Sequence, residues 1–174
     1  MEDKKLLIVG IIMVIVGAIT ATVLYLMRTK TKLTSKIVKI EYSFSSNYGT
    51  MLDCAKYTVT IEKDGTVTLK NSYHEDYQKT FSISTSEYDR LATYIEKNMK
   101  VFDVEDRTDN DVMDGGSSHV KITLEDGKTH ETGGANPSGK DYDNLTLEIR
   151  NTVNSDKIKE YKNEVKALGE KKSY

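Results

Sequence analysis

The stretch from Asp103 to Asp114 holds six carboxylates, Asp103, Glu105, Asp106, Asp109, Asp111 and Asp114, with Arg107 as the only base among them. Hard cations such as Ca²⁺ want several oxygen ligands on a loop flexible enough to wrap them. Asp109, Asp111 and Asp114 are therefore the candidate ligands of a Ca²⁺ site. The pattern Asp109-x-Asp111-x-x-Asp114-Gly115 departs from an EF-hand loop by one position before the glycine, and no glutamate stands at the closing position. The expected state is a solvated acidic loop.

Other chemistry-bearing residues form no working set. If the hairpin at Glu125-Asp126-Gly127 has a three-residue loop, His130 stands opposite Ile122 on the covered face, and odd-numbered His119 points the other way. Two histidines on opposite faces cannot share a zinc ion. The lone Cys54 lies beside Leu52 and Ala55, and no base is placed near it, as His74 would have to be for nucleophilic catalysis. No Gly-x-Ser-x-Gly or Ser-x-x-Lys context occurs. The expectation is a protein without catalytic residues, cofactor or resident metal, hence not an enzyme. The loop from Ser43 to Tyr57, rich in Ser, Asn, Tyr and Gly, is the better contact surface, with Tyr48 and Tyr57 as candidate ligand contacts.

The elements that must position these residues follow from periodicity. Alternation begins at Ile37 and continues through Ile40, Tyr42 and Phe44. Residues 57–62 and 66–70 flank Lys63-Asp64-Gly65. A three-residue loop with Gly65 in the left-handed region sets Ile61 opposite Val67 and Val59 opposite Leu69, which keeps one face apolar. A further strand is expected near 79–84. Ser84 and Glu87 form a capping box for a helix carrying Tyr88, Leu91, Ala92, Ile95 and Met99 on one face. The second hairpin, 119–124 and 128–132, should break at Gly133-Gly134-Ala135-Asn136-Pro137. Ser138 and Asp141 are expected to cap a helix with Tyr142, Leu145, Ile149 and Val153. A last helix from Asn154 or Ser155 presents Ile158, Tyr161, Val165 and Leu168, with Gly169 past its end. Its lysines suggest a solvated face.

Tyr88-Asp89-x-Leu91-x-x-x-Ile95 recurs as Tyr142-Asp143-x-Leu145-x-x-x-Ile149, each time after an Asp-Gly hairpin. The chain therefore admits two degenerate ββα units. The predicted fold class is α+β, an antiparallel sheet of about five strands with two or three helices on one face.

Outside the domain, residues 6–27 (LLIVGIIMVIVGAITATVLYLM) are uncharged. A helix of that length spans about 33 Å, enough for a hydrocarbon core of about 30 Å. The run is longer than the roughly 7–15 residues of a secretory h-region, and Leu24-Tyr25-Leu26-Met27 is a poor cleavage site. The predicted order is a tail at 1–5, a transmembrane helix at 6–27, a basic stalk at 28–36, a domain at 37–168 and a polar tail at 169–174. Arg28, Lys30, Lys32 and Lys36 outnumber Lys4 and Lys5, which by the positive-inside rule favours a cytoplasmic domain. Short N-termini nevertheless usually stay inside, and long domains translocate largely regardless of charge. The domain is expected outside. A single cysteine means no internal disulfide, and a net charge of −2 gives no attraction to nucleic acid.

Asp64-Gly65, Ser84-x-x-Glu87, Asp114-Gly115 and Gly134-Ala135-Asn136-Pro137 together resemble the layout of small uncharacterised Gram-positive bacterial proteins with one membrane span. The resemblance covers roughly residues 37–153. It implies an extracytoplasmic α+β domain and supplies no activity. The function expected is a membrane-anchored, non-enzymatic binding or accessory domain whose ligand is a protein, peptide or envelope polymer. The alternatives are a cytoplasm-facing regulator of a membrane partner and an enzyme whose site carries no familiar motif.

Overall fold

The computed structural model describes residues 33, 35–46, 56–71, 77–111 and 115–171, with side chains as far as Leu168. The predicted tail at 1–5, the span at 6–27 and most of the stalk lie outside the described residues, as do Tyr48, Cys54, His74 and Asp114. No helix among the described residues is long and apolar enough to cross a membrane. The chain divides into residues 1–32 and residues 33–174, and the second unit is the domain described below.

Its strands are β1 (Ile37–Ser46), β2 (Lys56–Glu62), β3 (Thr66–Asn71), β4 (Gln78–Ser82), β5 (Gly116–Leu124) and β6 (Thr129–Ala135). Its helices are α1 (Thr85–Lys97), α2 (Lys140–Val153) and α3 (Ser155–Lys171), with a 3-10 turn at Met99–Asp103. All pairings are antiparallel, in the order β4-β3-β2-β1-β5-β6. The sheet thus has six strands rather than about five, because every segment read as a strand joins it, including the one expected near 79–84, which pairs along β3 as the edge strand Gln78–Ser82. Ile61 faces Val67, Val59 faces Leu69, and His130 faces Ile122, the register that the three-residue loops require. Gly65 takes φ +86 in the first of those loops. A bulge between Ile37 and Lys39 explains how Ile37 and Ile40, three positions apart, both reach the core.

The helices lie on one face of the sheet. Tyr88, Leu91 and Ile95 of α1, Tyr142, Leu145, Ile149 and Val153 of α2, and Ile158, Tyr161 and Val165 of α3 pack over Ile40, Tyr42, Val59, Ile61, Val67, Leu69, Val120 and Ile122. The repeated Tyr-x-x-Leu-x-x-x-Ile stripe is therefore core in both helices. Each of its tyrosines is tied back to a strand. Tyr88 donates to the Ile37 carbonyl at 2.9 Å, and the Tyr142 and Ser118 hydroxyls are 2.8 Å apart. The opposite face carries Thr58, Thr60, Thr66 and Thr68, half-exposed residues whose branched side chains suit a solvated sheet surface.

The capping box at α1 forms as expected. The Ser84 hydroxyl accepts from the Glu87 amide, and Glu87 accepts from the Ser84 amide. Three expectations need correction. β6 does not break at Gly133-Gly134 but runs through both, with φ +150 and +156, to Ala135. Glycine is needed there: a Cβ on Gly133 would collide with the Ser118 carbonyl and His119, and one on Gly134 would come within 2.6 Å of Thr108 Oγ1. At α2 the N-cap is Gly139, with no side-chain cap, because Asp141 is held by Arg107 instead. α3 does not stop before Gly169; it continues to Lys171.

Candidate anion-binding pocket

Two groups of cations distinguish the surface of this domain. The first centres on Arg107, in the acidic segment. Backbone bonds from Arg107 to Gly133 (2.7 Å), Gly133 to Glu105 (3.1 Å) and Asp109 to Ala135 (2.9 Å) lay that segment along the free edge of β6, with a parallel bridge at Asp106 and Gly133. The part of the loop from Glu105 to Asp109 is thus strand-like cover for an edge. The Arg107 side chain is only 7% exposed. Its Nε donates to Thr132 Oγ1 at 2.9 Å, its two terminal nitrogens grip Asp141 at 3.0 and 2.7 Å, and Nη2 reaches the Val101 carbonyl at 2.8 Å. The Thr132 hydroxyl in turn donates a hydrogen bond to the Val104 carbonyl at 2.6 Å. The Arg107 hydrogen bonds hold the Asp141 carboxyl below its ordinary range. This is an internal clamp with its donors spent.

The second group lines a cavity of about 320 Å³ bordered by Tyr57, Arg150, Ser155, Ile158, Lys159, Lys162 and Asn163. Helix geometry explains the lining. Ser155, Lys159 and Lys162 are spaced i, i+4 and i+7 and share one flank of α3. Ile158, Tyr161 and Val165 form the buried stripe beside it. The far flank turns toward β4, where Lys79 bonds Glu164 (3.0 Å) and Glu160 (3.3 Å), Tyr77 donates to Glu164 (2.7 Å), and the Lys157 ammonium lies 4.2 Å from the Phe81 ring centroid. The two carboxylates of that flank are thereby engaged with β4. Arg150 comes from the last turn of α2 and spends its Nε on the Thr146 carbonyl at 3.3 Å. Among the described residues no carboxylate pairs with Arg150, Lys159 or Lys162.

The floor of the cavity is Tyr57 and Ile158, 6% and 5% exposed. Tyr57 packs edge-on against Tyr42 with ring centroids 6.2 Å apart, and the Lys162 ammonium stands 5.6 Å from its centroid. Burial pushes the Tyr57 hydroxyl well above the ordinary tyrosine range, and the neighbouring Tyr42 adds to the effect. Tyr57 is neutral at physiological pH and does not offset the cations. The site therefore offers positive charge, a serine hydroxyl, a side-chain amide and an apolar base.

The sequence candidates fare unevenly. Tyr57 does border a cavity, as a buried residue of β2 and not as a loop tip. Tyr48 and Asp114 lie outside the described residues. Asp109 accepts from the Asp111 amide at 3.0 Å in a local turn. No three His, Cys, Asp or Glu residues gather into a metal-holding group among the described residues. Arg150, Lys159 and Lys162 were not singled out by motif. The signal that could have found them is the division of α3, with Glu160 and Glu164 on one flank and lysines on the other.

A six-stranded antiparallel sheet with three helices on one face defines this as an α+β domain. Residues 38–153 match the model of a domain of unknown function, DUF6438, and the chain belongs to that family. No curated protein matches the sequence significantly. The matched region ends at the last residue of α2. It includes Tyr57 and Arg150, whereas Ser155, Ile158, Lys159, Lys162 and Asn163 lie on the helix beyond it.

Proposed function

We propose that this chain is a non-enzymatic binding domain tethered to the cell membrane by residues 6–27 and carried outside the cytoplasm. Its ligand, a protein, peptide or envelope polymer, is held at the cavity over Tyr57. The observation that carries this reading is that cavity, in which a buried aromatic floor meets cations that have no carboxylate partner among the described residues. A few polar groups arranged around an apolar base is the usual make-up of a ligand site. The uncharged run from Leu6 to Met27 supports the tether, and the resemblance to small Gram-positive surface proteins supports the location.

A benzophenone amino acid in place of Asn163, which is exposed at the rim, tests the binding site in intact cells. The same group in place of Thr68, on the open face of the sheet, is the control. Adducts from position 163 and none from position 68 are expected. Equal or absent adducts at both would contradict the reading. Arg28, Lys30, Lys32 and Lys36 favour the second reading, a cytoplasm-facing regulator. Protease treatment of intact protoplasts decides between them: loss of a C-terminal tag places the domain outside, and protection until lysis places it inside.

A further inference from the structure

The chemistry of the cavity narrows its ligand, on the reading that this cavity is the binding site. Arg150, Lys159 and Lys162 border it from two helices, and Ser155 and Asn163 add neutral hydrogen-bonding groups. A guanidinium offers paired donors to a tetrahedral oxyanion, and lysines serve as point charges toward phosphate. Ser155 stands in the first turn of α3, at the positive end of the helix dipole, although the amides of Asp156, Lys157 and Ile158 there already donate to Asn154. A carboxylate carries one charge and two oxygens, and would leave much of this lining unused. The cavity of about 320 Å³ is also far larger than a single phosphate, and its floor is Tyr57 and Ile158. The occupant therefore combines an anionic head with an apolar or ring-bearing body.

We propose that the cavity between α2 and α3 is a phosphate-recognition site that takes a phosphomonoester or phosphodiester group carried on a larger organic body. The shared chemistry could come from a small phosphorylated molecule or from a phosphodiester-linked polymer. α3 determines the specificity, since it supplies both lysines and lies beyond the region that matches the family. Arg150 contributes from within that region.

The test is calorimetric titration of the full chain in a nonionic detergent with inorganic phosphate, phenyl phosphate and a glycerol-phosphate oligomer, each against sodium acetate at matched ionic strength. Phenyl phosphate should bind more tightly than inorganic phosphate, because its ring can cover the Tyr57 floor, and acetate should bind least. The doubly substituted K159E/K162E chain should lose about tenfold or more in affinity for phenyl phosphate. K159Q/K162Q should lose less, and K128A, on the β5–β6 hairpin, should lose nothing. An oligomer that binds more tightly than phenyl phosphate identifies the polymer as the source, and the reverse order identifies a small molecule. Acetate binding as well as phosphate, no measurable binding of any phosphate probe, or equal affinity of the charge-reversed chain would overturn the proposal. Melting curves of each variant establish that loss of affinity is not loss of fold. Adducts at position 163 together with failure of every phosphate probe would refute the phosphate assignment and leave the binding site intact, whereas failure of both removes the site itself.

Discussion

Two arginines of this domain meet contrasting surroundings. Arg107 gives its guanidinium to Thr132, Asp141 and the Val101 carbonyl, whereas Arg150 gives one nitrogen to the Thr146 carbonyl in the preceding turn of its own helix. The first is nearly buried and joins three parts of the chain: the 3-10 turn, β6 and the start of α2. The second borders an open cavity beside two lysines. The difference teaches how to separate structural from recognition charge. A cation whose donors all end on protein acceptors holds the fold together, and a group of cations facing a cavity without carboxylates retains its capacity for something else.

The sharpest way to break this contrast is to remove Arg107. Arg107→Ala removes the hydrogen bonds from its guanidinium to the Thr132 hydroxyl, the Val101 carbonyl and the half-exposed Asp141, and at about 1 kcal/mol for each acceptor should cost about 3 kcal/mol, measured by urea unfolding. Thr132→Val removes the bridge from Arg107 to the Val104 carbonyl while keeping the shape of the side chain, and should cost about 1–2 kcal/mol.

Asp141→Asn should cost less, about 1 kcal/mol at neutral pH, because the carboxylate is half exposed and its ion pair is screened. The pH dependence has a definite sign. The folded-state pKa of Asp141 is depressed, chiefly by its hydrogen bonds with Arg107, so its contribution is full above the usual carboxylate range and is lost as pH falls through the folded value. The stability gap between the native chain and Asp141→Asn should therefore close on acidification; a gap that widens would contradict the assignment. Glu164→Gln loosens α3 from Lys79 and Tyr77 and should cost under about 1 kcal/mol, since both ion-pair partners are partly exposed. Smallest of all should be K159Q/K162Q, with no measurable loss of stability.

Much of the sheet was legible in the sequence because it depends on local chemistry. Lys63-Asp64-Gly65 and Glu125-Asp126-Gly127 set the registers of both hairpins, and Ser84 with Glu87 marked the start of α1. The clamp was not legible. Arg107 is separated by 25 residues from Thr132 and by 34 from Asp141, so its setting among carboxylates suggested a solvated acidic loop when its own partners lie elsewhere. Gly133 and Gly134 were expected to end a strand because glycine often does so. Here they are needed because neighbouring backbone and Thr108 approach too closely for a side chain. Asp141 is drawn away from its expected capping role by the same arginine. The cavity was half legible: Tyr57 was a candidate contact, but the cations beside it became a site only when α2 and α3 were placed around it.

The most direct test of the contrast is the melting temperature of Arg107→Ala set beside that of Arg150→Ala in the full chain. The account predicts a fall of about 10 °C for the first and less than about 2 °C for the second. Equal depression in both would show that Arg150 is also part of the scaffold, and that the cavity it borders owes its charge to folding rather than to recognition.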